Sequence, residues 1–178
     1  MISILLSINK PHTDNIKALI KKIEVRKSKP NCELPFKGFI YETKHNGGCK
    51  KVIGEFICDE IYHIKNYGTR FSINNDERLT NGVARASCLN FDDMKNYLKD
   101  KDGYAWHITD LVIYETPKEL TEFKTKCREY GSDNPNCTEC NYYISGMCYE
   151  YDESDCGCNG LKPITRPPQS WCYVKEIL

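Results

Sequence analysis

Near the N-terminus the apolar and polar positions change rhythm twice. Ile2-Ser3-Ile4-Leu5-Leu6-Ser7-Ile8 is a branched-rich apolar run that predicts a buried strand. Pro11 ends it, and Thr13 or Asp14 can cap a following helix by satisfying free amides of its first turn. Apolar residues at 16, 19, 20 and 23 then keep the spacing of one buried helical face, which carries the helix to about Lys22. From Ile23 the pattern alternates, with Ile23 and Val25 on one side and Glu24 and Arg26 on the other, as in a strand. A helix running straight into a strand gathers Lys21, Glu24 and Arg26 at one junction.

Beyond a Pro-containing link, residues 38–43 and Val52–Cys58 read as strands on either side of Asn46-Gly47-Gly48, and that turn chemistry predicts a hairpin. Residues 63–89 hold loop-like stretches at 67–69 and 74–76, with a short helix over 76–79. Asn90 caps a helix in which Phe91, Met94, Tyr97 and Leu98 share a face and Gly103 closes the segment. Residues 104–114 alternate as one strand, with Trp106, Ile108 and Leu111 changing face around a bulge, and Pro117 stops it. A short helix over 118–126 would hold Leu120 and Phe123, and a final strand covers 172–178. Strands outnumber helices, which predicts an α+β fold: a small β-barrel with helices against it.

Charge changes this picture more than length does. The 178 residues suffice for one domain with a core plus a small module, and formal charge sums to zero. Yet eleven Lys/Arg stand against four acids between positions 10 and 51, and ten acids against four basic residues between 115 and 155. A basic N-terminal half suits an anionic partner such as nucleic acid, while the neutral total argues against a histone-like coating protein. No stretch has the length of a membrane span. Residues 1–8 lack the basic start and cleavage site of a secretory leader, so the expected compartment is the cytoplasm, where thiols stay reduced.

Eleven cysteines in a reducing compartment point to metal rather than disulfides, and the odd count agrees. Cys137-Thr138-Glu139-Cys140 is a C-x2-C knuckle suited to tetrahedral zinc, with Cys127 and Cys148 completing a set and Cys156 and Cys158 as alternative ligands. A structural Zn2+ would order a segment with little aliphatic content, and an Fe–S cluster could use the same thiolates. Composition thus divides the chain into a main unit, 1–126 with 160–178, and a Cys-rich insert, 127–159, placed before the last strand. Cys32, Cys49, Cys58, Cys88 and Cys172 read as buried or incidental thiols.

Leu5-Leu6-Ser7-Ile8 with Lys10-Pro11, then Lys21-Lys22-Ile23-Glu24-Val25-Arg26, then Val52-Ile53-Gly54-Glu55, resemble in that order the ASCH domains, a branch of the PUA-like superfold. Members typically carry Gly-x-Lys-x-x-Glu-x-Arg; Lys21, Glu24 and Arg26 match it, and Leu19 stands where Gly is usual. Gly103-Tyr104-Ala105-Trp106-His107-Ile108 and Arg166-Pro167-Pro168-Gln169-Ser170-Trp171 are similar to segments of a bacterial and phage subgroup.

The resemblance implies a PUA-like barrel with a cleft beside the motif that binds RNA or other nucleic acid, single-stranded or carrying a modified base. Lys21 and Arg26 would hold phosphates there, and Glu24 would orient them or accept a hydrogen bond from a base. Lys10 and Arg166 join the same nucleic-acid-binding set, and Trp106 and Trp171 would offer stacking faces. Some members are amidohydrolases acting on acylated cytidine with the motif's Lys, a Thr and a separate Glu. Here Glu24 takes the place of that Thr and supplies no hydroxyl nucleophile. A hydrolase on nucleosides or RNA (amidohydrolase or ribonuclease), with Lys21, Glu24 and Glu55 as acid–base candidates, is therefore the second reading. No His pair stands out for it, since His12, His45, His63 and His107 are scattered. A protein-interaction module using the Cys-rich insert is the third.

Overall fold

The central strand, β1 (Ser3–Ile8), sorts its side chains to two sides: Ile4, Leu6 and Ile8 enter one apolar core and Leu5 another. The computed structural model describes residues 1–126 and 161–176. The ligands expected at Cys127, Cys137, Cys140, Cys148, Cys156 and Cys158, and the insert that holds them, lie outside the described residues. After β1 come α1 (Lys10–Lys17), β2 (Ile23–Arg26), β3 (Phe36–Glu42), β4 (Val52–Cys58), β5 (Ile61–Asn66) and β6 (Phe71–Ser72). Then follow α2 (Glu77–Ser87), α3 (Phe91–Leu98), β7 (Gly103–His107), β8 (Thr109–Lys118), β9 (Phe123–Lys126), β10 (Leu161–Pro163) and β11 (Trp171–Glu176).

These strands form two sheets, ordered β10-β9-β11-β1-β3-β4-β8 and β2-β7-β5-β6, so an α+β class holds. Ladders that would close them into one barrel are not among the described pairings. β1 and β3 pair in parallel, and β11 returns antiparallel on the other side of β1, which puts the chain's last described strand inside the main sheet. Trp106 on β7 packs edge-on against Phe36 of β3 with ring centres 5.4 Å apart, joining the sheets through a core that Ile16 of α1 also enters. On the far side of the smaller sheet, Ile23, Val25 and Ala105 pack with Val83 of α2 and Met94 and Leu98 of α3.

The expected hairpin is present as β3–β4, joined by a longer connection in which Asn46 and Gly47 take positive φ. Asn90 caps α3 as expected, its side chain accepting from the Asp93 amide. Three expectations change. The helix capped by Asp76 runs on to Ser87 instead of ending at 79, because Val83 and Ser87 are buried against the rest of the fold. Residues 104–114 are two strands that separate at Ile108, whose amide bonds the Lys22 carbonyl, and β8 continues through Pro117 as a sheet edge, where proline removes no ladder bond. The short helix over 118–126 is a single 3₁₀ turn, Leu120–Glu122, followed by β9, because residues 123–126 find partners in β10 and β11. No described helix is long and apolar enough to cross a membrane.

Candidate functional site

α1 closes at Lys17, short of the expected Lys22. The Leu19 amide donates to the Ile16 carbonyl and the Ile20 amide to the Asn15 carbonyl, both at 2.9 Å, which are the two reversed bonds of a Schellman ending. Such an ending needs a left-handed residue, and Leu19 supplies it at φ 59°. This is the position where the ASCH signature usually carries Gly, the residue that adopts this backbone without a Cβ penalty. Leu19 and Ile20 are 63% and 62% exposed, so two surface residues had mimicked a longer buried face.

The reversal turns Lys21 inward and starts β2, whose alternation holds as read: Ile23 and Val25 enter the helix-side core, and Glu24 and Arg26 point the other way. Lys21 Nζ donates to the Ser87 carbonyl at the end of α2 (2.6 Å) and stands 3.4 Å from Glu24 Oε2. Arg26 Nη2 lies 3.0 Å from Glu24 Oε1 and donates to the Ser7 carbonyl of β1 at 2.9 Å. Arg26 Nη1 reaches the Ser170 carbonyl (3.3 Å) and hydroxyl (3.4 Å). Lys21, Glu24 and Arg26 are only 2%, 8% and 5% exposed. Burial opposes the charge on Glu24, but Lys21 and Arg26 outweigh it and hold its carboxyl below the usual range. Two cations on one carboxylate leave the buried triad with one uncompensated positive charge.

The triad forms the floor of an open cleft of about 610 Å³, within the size range of small-ligand sites. Its walls come from the end of β1 and the start of α1 (Asn9, His12), from α3 (Asp93, Asn96, Tyr97) and from Gln169 before β11. His12 Nδ1 and Arg26 Nε are buried with no hydrogen-bond partner, which in a folded protein calls for an explanation. Burial, then the Lys21 charge, lower the affinity of His12 for a proton, so its ring is neutral at physiological pH. Asp93, exposed on α3, sets a carboxylate beside these donors. The lining therefore mixes donors and acceptors around one aromatic ring, that of Tyr97.

Several expected site residues stand elsewhere. Trp106 is 0% exposed and fills the core between the sheets, so it offers no stacking face. Trp171 packs 5.9 Å from Trp106, donates from Nε1 to Ser28 Oγ at 3.1 Å, and is absent from the cleft lining. Lys10 is tied to Asp14 at 2.7 Å on the surface of α1, and Arg166 is exposed outside the lining. Glu55 accepts from Lys37 (2.8 Å) and Tyr114 (2.6 Å) on the main sheet, outside the cleft lining, so it cannot act there with Lys21 and Glu24. Lys21 and Arg26, expected to hold phosphates, do line the cleft, but both are buried and both Nη atoms of Arg26 already bond protein oxygens. His12, Asp93, Asn96, Tyr97 and Gln169 were not singled out from sequence. Only His12 and Gln169 left a signal, since they sit in or beside segments that carry the family resemblance. Among the described residues no group of His, Cys, Asp and Glu is arranged to hold a metal ion.

No family model and no curated protein matches this sequence. Solved structures do. ASCH from Zymomonas mobilis superposes with a TM-score of 0.57 at 16% identity, covering 97% of this chain and 87% of its own. Two point variants of that protein give TM-scores of 0.57 and 0.58 at the same identity, with 90% and 88% of their chains covered. The fold of this chain is that of an ASCH domain.

Proposed function

We propose that the chain binds single-stranded nucleic acid, RNA above all, by taking one unpaired base into the cleft over Lys21, Glu24 and Arg26. The observation that carries this reading is the composition of the pocket. Its buried cations are committed to Glu24 and to backbone carbonyls, while the exposed amides of Asn96 and Gln169 stand at the lining beside the Tyr97 ring, and Arg26 Nε and His12 Nδ1 lie buried beneath without a partner. A phosphate wants converging, exposed cations; a base edge wants interspersed donors and acceptors with a flat neighbour. The ASCH fold of the Zymomonas mobilis protein agrees with a PUA-like nucleic-acid module.

Fluorescence anisotropy with a short labelled single-stranded RNA and its abasic counterpart tests this directly. Intact RNA binds and abasic RNA does not, and Asn96→Ala, a change on the exposed side of α3, weakens binding about fivefold, the worth of one hydrogen bond. Equal affinity for intact and abasic strands contradicts the proposal.

One observation favours hydrolysis as a second reading: the imidazole of His12, whose proton affinity burial lowers, lines the same cleft as Lys21 and Glu24. Mass spectrometry of RNA and acylated cytidine after incubation separates it from binding alone.

A further inference from the structure

A larger hollow of about 790 Å³ lies on the other side of α3. Asn90, Phe91 and Met94 of that helix line it, whereas Asp93, Asn96 and Tyr97 line the cleft, and Leu89 borders both. The two sites are thus separated by one helix, about 10–12 Å across with its side chains. Phe71 and Phe91 give the hollow two aromatic walls with ring centres 5.3 Å apart, and Phe91 is 42% exposed. Val83 and Met94 form an apolar floor. At the rim stand Arg70 and Arg85, neither in an ion pair among the described residues, against a single lining carboxylate, Glu77.

We infer that this hollow is a second nucleotide subsite, taking the base and phosphate of a nucleotide further along the strand whose first base enters the cleft; the inference rests on the reading of the cleft given above. The chemistry differs between the two hollows in the way a strand requires. The cleft has deeply buried cations, tied to Glu24 and to backbone carbonyls, under a polar lining suited to a base edge. The hollow has aromatic surface for sequence-tolerant stacking and, at its rim, the exposed guanidinium of Arg85 for a phosphate, with Arg70 stacked over Tyr67 beside it, the pairing by which proteins hold unstructured strands. Ordinary core packing accounts for the apolar floor, but not for a half-exposed phenylalanine at the same hollow as the exposed Arg85.

The test measures affinity for a mononucleotide, a dinucleotide and a hexanucleotide RNA with the full chain, Phe91→Ala, Arg85→Ala and the cleft variant Asn96→Ala, after circular dichroism and melting show that each variant is folded. The inference predicts that the hexanucleotide binds more tightly than the mononucleotide. That gain falls about tenfold in Phe91→Ala and severalfold in Arg85→Ala, with mononucleotide affinity unchanged in both. If Asn96→Ala weakens hexanucleotide binding while Phe91→Ala and Arg85→Ala do not, the second subsite is wrong and the cleft stands. If Phe91→Ala abolishes mononucleotide binding and length brings no gain, the hollow serves a free nucleotide and the strand path is wrong. If the unaltered chain binds none of the three, both readings fall.

Discussion

Glu24 and Trp106 stand directly opposite each other in the β2–β7 ladder, the one carrying the site's carboxylate and the other closing the core behind it. The pairing explains why the indole is near the motif yet closed to a ligand. Trp106→Ala should therefore cost about 3–5 kcal/mol of stability, as for a fully buried aromatic. Trp106→Phe should cost far less, because the indole nitrogen has no hydrogen-bond partner and its removal relieves a buried donor. Chemical denaturation measures both, and RNA affinity of folded Trp106→Phe should match that of the unaltered chain.

Removing the charge at Glu24 exposes the other side of the same relationship. Glu24→Gln keeps the shape but leaves the Lys21 and Arg26 cations buried side by side without their shared anion. A loss of about 3–5 kcal/mol is expected, the usual penalty for stranding a buried charge. Urea titration at neutral pH reads it, and an unchanged midpoint would show that the cations are compensated by other groups.

A second buried carboxylate, outside the cleft lining, sets the response to acid. Burial alone would raise the pKa of Glu42, but Thr13, the Cys49 amide and Lys17 donate to it and bring it from 4.5 to about 2. A carboxylate depressed in the folded state stabilises above its unfolded pKa and loses that contribution as pH falls through the folded value. On the order of 3 kcal/mol should thus be present at neutral pH and fade below about pH 4.5. Glu42→Gln removes the contribution at neutral pH and flattens the acid limb of a stability-against-pH curve.

Leu19 carries a backbone cost with little packing in return, being 63% exposed at φ 59°. An L-residue pays about 1–2 kcal/mol in this region, and glycine's extra unfolded-state freedom gives back about 0.5–1 kcal/mol of any gain. Leu19→Gly should raise stability by roughly 0.5–1 kcal/mol on that balance, with no change at the cleft. Thermal melting with the RNA titration repeated on the variant checks both halves of the statement.

What the chain reveals by itself follows from where the information resides. The alternation Ile23, Glu24, Val25, Arg26 is local, and it correctly turned the charged pair away from the apolar one. The end of α1 is equally local but hidden, since Leu19 and Ile20 are apolar residues doing the work of a turn. The cleft's far wall was not legible: Asn96 and Tyr97 reach it only because α3 packs over β2, a tertiary event that periodicity places on a face without saying what the neighbouring face meets. Likewise Phe123 has apolar neighbours compatible with a helix, and only its pairing with β11 decides for a strand. Trp106 looked available because aromatic residues beside a binding motif often stack on ligands; its cross-strand register decides otherwise.

The central claim is that one unpaired base sits over Lys21, Glu24 and Arg26, and a backbone amide NMR titration with a short single-stranded RNA addresses it most directly. The expected shifts cluster at residues 7–12, 21–26, 93–97 and 169, and they vanish with the abasic strand. Shifts centred instead on Lys37, Glu55 and Tyr114, or none at saturating RNA, would contradict it.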